Sequence, residues 1–269
     1  MSVGRATGTP ARVYWEVGVR SFRRYATYRA ATIAGTFTNT VFGFMKAAVL
    51  LAVWKGRPEI GGYDVTDALT YTFIGQGLIM VLSVFGPGLE LSERIRTGDV
   101  AIDLYRPVDF QAWWLATDVG RSAFQVAARG LPPFVAGALI YDLRVPGPAG
   151  VLAFVVSLGL ALLVSFGLRY LTSLAGFWII DVRGLQQLAL TVTIFMSGMV
   201  VPLVLFPAGL EGVARALPWA AMVQGPADVF LGQRVWSTLA AQTAWAAVLL
   251  AAGRLVGGAA RRRVVVQGG

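Results

Sequence analysis

Charged side chains crowd one stretch of the chain, 90-ELSERIRTGDVAIDLYRPVDF-110, where Glu90, Glu93, Arg94, Arg96, Asp99, Asp103 and Arg106 follow one another closely. The spacing is helix-like, Gly98 breaks it, and Arg106-Pro107 ends it. Carboxylates and guanidinium groups mixed in this way suit docking onto a soluble protein through complementary charge. A solvated loop whose arginines only fix topology is the plainer alternative. Catalysis lacks its usual residues. The chain has no histidine and no cysteine, which excludes histidine acid–base work, thiolate metal sites, disulfides and histidine pH switches. No G-x-x-x-x-G-K-[ST], G-x-S-x-G or H-E-x-x-H pattern occurs, and neither lysine, Lys46 or Lys55, follows a phosphate-binding glycine loop. Energy from ATP therefore has to come from a partner.

The elements that position this segment are long apolar runs. Of 269 residues, 56% are apolar and 14% charged, with mean hydropathy +0.65; soluble domains run about 45–50% apolar and about 25% charged. A spanning helix needs about 20 apolar residues, so an all-α membrane domain of six spans is expected, with no separate soluble domain. The expected spans are about 31–54, 67–88, 114–141, 148–180, 185–206 and 236–256. Residues 11–29 read as an amphipathic interfacial helix, with Arg12, Glu16, Arg20 and Arg23 on one face and Tyr14, Val17, Ser21, Tyr25 and Tyr28 on the other. A plain basic flank is the alternative. The first apolar run begins too late and is too long for a cleavable signal.

Several spans carry marks. Lys46 and Asn39 interrupt the first, and outward snorkelling of Lys46 is favoured over a polar interior. Gly75, Gly77 and Gly86-Pro87-Gly88 let the second approach its neighbours or bend. Trp113-Trp114 opens the third, Arg121 and Arg129 share a face, and Pro132-Pro133 predicts a kink. The fourth run is too long for one crossing. Arg169 is expected at the inner surface, with the rest extending inward or turning at Gly167 or Gly176. Residues 207–232 are too short and too broken to span twice, and suggest a segment dipping into the outer leaflet. Deep carboxylates are not expected: Asp118 lies close to a surface and Asp181 in a loop, which argues against proton coupling.

Arginine placement sets the orientation. Arg5, Arg12, Arg20, Arg23, Arg24 and Arg29, then Arg94, Arg96, Arg106 and Arg121, then Arg183, then Arg254, Arg261, Arg262 and Arg263 fall in alternate connections. The intervening ones hold only Lys55, Arg57, Arg144, Arg215 and Arg234. By the positive-inside rule both termini are cytoplasmic. The net charge of +9 is accounted for by topology, and no nucleic acid partner is expected. No internal repeat supports an inverted-repeat transporter. The Ala/Val/Gly/Arg bias suggests a bacterial source, and with it the cytoplasmic (inner) membrane.

These features together resemble the six-span permease subunit of bacterial type-2 ABC exporters, in the branch where two different permeases often share one ATPase. The resemblance covers nearly the whole chain. It rests on the basic amphipathic N-terminal helix, on 95-IRTGDVAIDLYRPVDF-110 (I-x-x-G-x-[IV]-x-x-x-L-x-R-P) and on 197-SGMVVPLVLFPAGLEGVARALPWA-220 (G-x-x-x-P-L-x-x-x-P followed by L-P). It implies a coupling helix within 90–106, with Glu90, Glu93, Arg94, Arg96, Gly98, Asp99, Arg106 and Pro107 as ATPase-coupling residues. It also implies an outer re-entrant hairpin at 207–232, and a pathway between two permeases, identical or related, lined mainly by spans one, two and five. Asn39, Gln76, Arg129, Met199, Pro202 and Phe206 are the candidate pathway or gate residues. The partners implied are a cytoplasmic ABC ATPase dimer, a second permease and membrane lipids; ATP and magnesium belong to the ATPase, and this chain binds no cofactor.

Three other readings stand beside it. A self-contained transporter or channel would use Lys46, Asn39, Gln76, Gln125 and Arg129 as deep polar groups. A lipid-acting membrane enzyme lacks a catalytic cluster. A non-transporting assembly subunit is excluded least well. The greasy, weakly charged spans favour a hydrophobic or amphipathic cargo.

Overall fold

The computed structural model describes residues 9–85, 88–179 and 181–267. The expected break at Gly86-Pro87-Gly88 lies largely outside them, as does Arg5. Among the described residues the fold is helical throughout, with one isolated bridge, Ile60 to Tyr63. Helix α1 (Pro10–Ala26) leads into α2 (Arg29–Trp54) and α3 (Val65–Val81). Short helices α4 (Leu91–Thr97) and α5 (Val100–Leu104) precede α6 (Phe110–Gln125), a π-turn (Val126–Gly130) and α7 (Leu131–Ala138). Then come α8 (Pro148–Leu174), α9 (Arg183–Met196), α10 (Ala208–Ala216), α11 (Gln224–Phe230) and α12 (Val235–Gln267). Three helical stretches, Arg29–Trp54, Pro148–Phe177 and Val235–Arg263, are long and apolar enough to cross a membrane.

The helix α3 is the axis of the bundle. Residues Asp67 to Ile79 along it are buried on every face, as expected of a helix that is apolar all round. Its N-terminus is closed by a capping box between Asp64 and Asp67. Close approach needs glycine here: a Cβ on Gly77 would lie 2.7 Å from the carbonyl oxygen of Gly130. The pair α8 and α12 packs in the same way, with a Cβ on Gly167 falling 2.6 Å from Leu249 Cβ. Helix α8 runs unbroken past Gly167, and the turn falls at Ala175–Phe177, around Gly176.

Other boundaries differ from the apolar runs. Helix α9 stops at Met196, well short of Phe206, because Gly198 adopts φ 83°, a left-handed conformation, and Pro202 follows. Helix α12 continues through Arg261–Arg263 to Gln267, held by Arg261 over Phe110 at 5.6 Å and Arg263 over Trp178 at 5.9 Å. The kink at Pro132-Pro133 takes the form of the π-turn. Prolines donate no hydrogen bond, so carbonyls one turn earlier lose their helical partners. One of them, Ala128 O, lies 2.8 Å from the Thr36 hydroxyl of α2.

Helix α1 docks on α6. A Cβ on Gly120 would fall 2.0 Å from the carbonyl oxygen of Gly18, the Ser21 hydroxyl donates to Thr117 O at 2.7 Å, and the Tyr14 hydroxyl accepts from the Asp109 N–H at 2.9 Å. The aromatic side of the amphipathic helix therefore meets protein, with Phe22 edge-on to Phe124 at 5.5 Å.

Candidate functional site

The charged segment folds as two short helices hinged at Gly98, whose φ of 84° ends α4 in a left-handed cap. Leu91 and Val100 anchor it in a core with Phe110, Trp114, Tyr170 and Leu174. Asp103 is buried, and both Arg94 and Arg106 close on it, the latter at 3.1 Å. Arg94 also donates to Asp99 O at 3.2 Å, and Arg106 lies 4.4 Å over the Trp113 ring. Arg94 therefore staples α5 against α4, and Arg106 ties the end of α5 to α6. Pro107 sits in the turn that leads to α6.

The residues left facing outward are different ones. Glu93 and Arg96 pair on the exposed side of α4, Thr97 donates to the Asp99 carboxylate at 2.9 Å, and Ile102 (61% exposed) and Tyr105 (89%) project from α5. Nearby, Asp181 is held down to about 2 by hydrogen bonds from Arg183, and Arg96 holds the Glu93 carboxyl below its ordinary value. Glu90, just ahead of α4, pairs with Arg24 of α1 at 2.7 Å. The segment is thus tied to α1 on one side and to α6 and α8 on the other.

Directly above it, the end of α3 is clamped. Arg121 donates to Met80 O at 2.6 Å and to Val81 O at 2.9 Å. Ser122 donates to Val81 O at 2.7 Å and Ser165 to Leu82 O at 2.5 Å. The last carbonyls of a helix have no partners of their own and carry partial negative charge, so a guanidinium satisfies both needs. Asp118 in turn holds Arg121 at 2.8 Å and Arg169 of α8 at 2.5 Å. Arg169 does stand close to the end of α8, where it forms an ion pair; its partner Asp118 is buried, 2% exposed.

The pathway candidates separate into three places. Asn39 and Gln76 sit between α2 and α3, each with a buried amide atom lacking a partner. Arg129 lies in the π-turn and donates to Ala31 O at 2.8 Å. Met199, Pro202 and Phe206 gather at the far end, where Met199 and Pro202 are buried and Phe206 packs with Leu203, Ala214 and Ala220. Lys46 corrects the expectation of outward snorkelling: its ammonium turns into the protein and donates to Met199 O at 2.6 Å.

A polar network at the far end escaped the sequence. Tyr63 and Gln224 both hydrogen-bond the buried Asp228, Gln224 at 2.7 Å. Arg215 pairs with the same carboxylate at 2.7 Å. Gln224 Oε1 accepts from the Tyr71 hydroxyl at 3.0 Å and from the Leu203 N–H at 2.9 Å. Burial beside Asp228 pushes the Tyr63 phenol well above its ordinary range. Together these contacts fix α10 and α11 to α3 and to the turn after α9. The only sequence signal was Gln224 and Asp228 one turn apart in an otherwise apolar segment.

The geometry is that of a helical bundle with a charged segment at one end and short helices braced by the Asp228 network at the other; among the described residues no cluster of His, Cys, Asp or Glu could hold a metal. No curated protein and no solved structure matches the chain. The family model described as "ABC-2 family transporter protein" matches residues 37–266, and the chain belongs to that family.

Proposed function

We propose that this chain is the permease subunit of an ATP-driven exporter, forming half of the translocation pathway and driven by a separate ATPase. In this reading α2, α3, α6–α7, α8, α9 and α12 are the six spans, both termini face the cytoplasm of a bacterial cell, and α10–α11 re-enter from the outer side. The chain hydrolyses nothing itself; ATP and magnesium sit in a cytoplasmic ATPase dimer, and a second permease, identical or related, completes the pathway. The observation that carries the reading is that α4, with Glu93 and Arg96 exposed, is tied to α1 through Glu90–Arg24 and to α6 and α8 through the core of Leu91, Val100, Phe110, Trp114, Tyr170 and Leu174, while the Arg121–Asp118–Arg169 clamp joins α6 and α8 to the end of α3. A push on α4 reaches these helices as a rigid-body displacement, because packed interfaces shift as units.

Mild-detergent purification of the chain, with mass spectrometry of what accompanies it, tests this. Recovery of an ATPase bearing a Walker motif is expected. Reversing the exposed charges, Arg96→Glu with Asp99→Arg, is expected to lose the ATPase while membrane insertion is unchanged. Recovery of the chain alone under several detergents, or an ATPase equally bound by the reversed variant, sinks the proposal.

A further inference from the structure

A cavity of about 570 Å³ opens between α1, α3, α4 and α6, at the end of the bundle where the charged segment sits. It has the volume of a small-ligand pocket, about 300–1,000 Å³. Its walls carry Arg24, Arg121, Arg129 and Arg169 against the carboxylates Glu90, Glu93 and Asp118. Arg24 is neutralised by Glu90, and Glu93 by Arg96 outside the cavity. Asp118 is shared by Arg121 and Arg169, which leaves one positive charge on that triad. Among the described residues no carboxylate pairs with Arg129. The walls are therefore net cationic.

The polar atoms tell the same story. Four side chains lining the cavity hold buried atoms without a partner: Trp114 Nε1, Gln125 Oε1, Arg129 Nε and Gln186 Nε2. Gln125 is only 4% exposed. Buried donors and acceptors are usually satisfied in folded proteins, so this wall carries unmet hydrogen-bonding capacity. Three of the four are donors, suited to an anionic ligand, and the fourth is an acceptor. Arg129 itself is seated by design of the backbone: its guanidinium carbon lies where a Cβ on Gly35 would come within 2.6 Å, and Tyr28 and Phe85 supply exposed aromatic surface at the same cavity.

We propose that this cavity is a binding site for a phosphate-bearing amphiphile drawn from the adjacent leaflet, with Arg129 as the anchor of the phosphate and the Arg121–Asp118–Arg169 triad as its electrostatic floor. A guanidinium fork matches phosphate oxygens in two parallel hydrogen bonds. The proposal deepens the exporter reading by giving the class of molecule that meets the chain on the side of the charged segment. A bound amphiphile touches both Glu90's element and the clamp on α3, so its presence is sensed where ATPase contact is made.

The test uses the full-length chain in detergent, with thermal unfolding and native mass spectrometry as readouts. The probes are phosphatidylglycerol, phosphatidylcholine and inorganic phosphate. Phosphatidylglycerol is expected to raise the melting temperature and remain bound. Phosphatidylcholine, whose own cation offsets its phosphate, and inorganic phosphate, which lacks the apolar portion, are expected to do neither. Arg129→Gln is expected to weaken phosphatidylglycerol about tenfold, the loss of one hydrogen bond to a charged group, and Arg129→Lys to restore part of it. The stabilisation should fade in about 1 M salt, where the screening length falls to about 3 Å. Equal binding of phosphatidylcholine, or full phosphatidylglycerol binding by a folded Arg129→Gln chain, overturns the proposal; an equal effect of inorganic phosphate overturns its lipid half. The ATPase recovered in the same preparations is scored separately. Lipid selectivity lost with the ATPase retained defeats this inference alone, and the reverse outcome defeats the exporter reading alone.

Discussion

The ammonium of Lys46, midway along α2, donates to the carbonyl oxygen of Met199 at 2.6 Å, joining positions 153 residues apart. That carbonyl belongs to the turn after α9, so a single side chain links α2 to the short helices that follow. Lys46→Met keeps the apolar stem and deletes the donor. It is expected to destabilise the chain by about 1–3 kcal/mol, the cost of a buried carbonyl left without a partner, and to increase leak through the reconstituted complex. Unchanged melting and unchanged leak would show that the contact does not hold this turn in place.

The triad of Asp118, Arg121 and Arg169 predicts an asymmetry. Asp118→Asn leaves two guanidinium groups facing each other with no counter-charge, and should cost about 3–5 kcal/mol, as for other broken buried pairs. Arg169→Gln leaves Asp118 with Arg121, and should cost less. Thermal unfolding of both variants in the same detergent ranks them; the opposite order would move the weight of the clamp onto Arg169.

Gly120→Ala tests the docking of α1. The added Cβ meets Gly18 O at 2.0 Å, so one helix must move, and overpacking of this kind costs about 1–3 kcal/mol. Release of α1 removes Ser21–Thr117 and Arg24–Glu90 and lets the undocked helix fray, so that the backbone at its already exposed Arg20, Arg23 and Arg24 becomes open to trypsin. Faster cleavage at these arginines is expected; an unaltered digestion pattern would mean that the helices can separate slightly without undocking.

Asp228→Asn should loosen α10 and α11. Arg215 loses its buried carboxylate while Tyr63 and Gln224 keep only neutral partners, a loss of about 1.5–3 kcal/mol for a charge-assisted bond. Faster hydrogen exchange confined to α10 and α11 is the expected reading. Exchange that rises evenly over the whole chain would instead mark Asp228 as part of the common core.

The exposed pairs behave differently with pH. Asp181 is depressed to about 2 by Arg183, so its contribution is present above the ordinary carboxylate value near 4 and is lost only as pH falls through the depressed one. The difference in melting temperature between the chain and Asp181→Asn should therefore stay constant from about pH 5 to 8 and shrink below about pH 4. A difference that varies between pH 5 and 8 would show that another group controls this corner.

Much of this architecture was legible in the residues because lipid enforces local rules. A span must supply its own backbone hydrogen bonds and enough apolar length, and arginine gathers on one side; so the long runs, the polar segment broken at Gly98 and the short, broken elements after Pro207 could all be read one residue at a time. Family membership followed from the same local patterns. What the sequence could not fix is how each helix is rotated about its own axis. In α3, apolar all round, periodicity names no preferred face, and in α8 it is nearly as silent. Only the packed bundle decides that Asp118 meets Arg169, that Lys46 turns inward to Met199 and that Asp228 is enclosed by Tyr63, Gln224 and Arg215. Those pairings are set by helix–helix distances that glycines such as Gly77, Gly120 and Gly167 permit, and the close approach of two backbones is a property of the pair, written in neither strand of sequence alone.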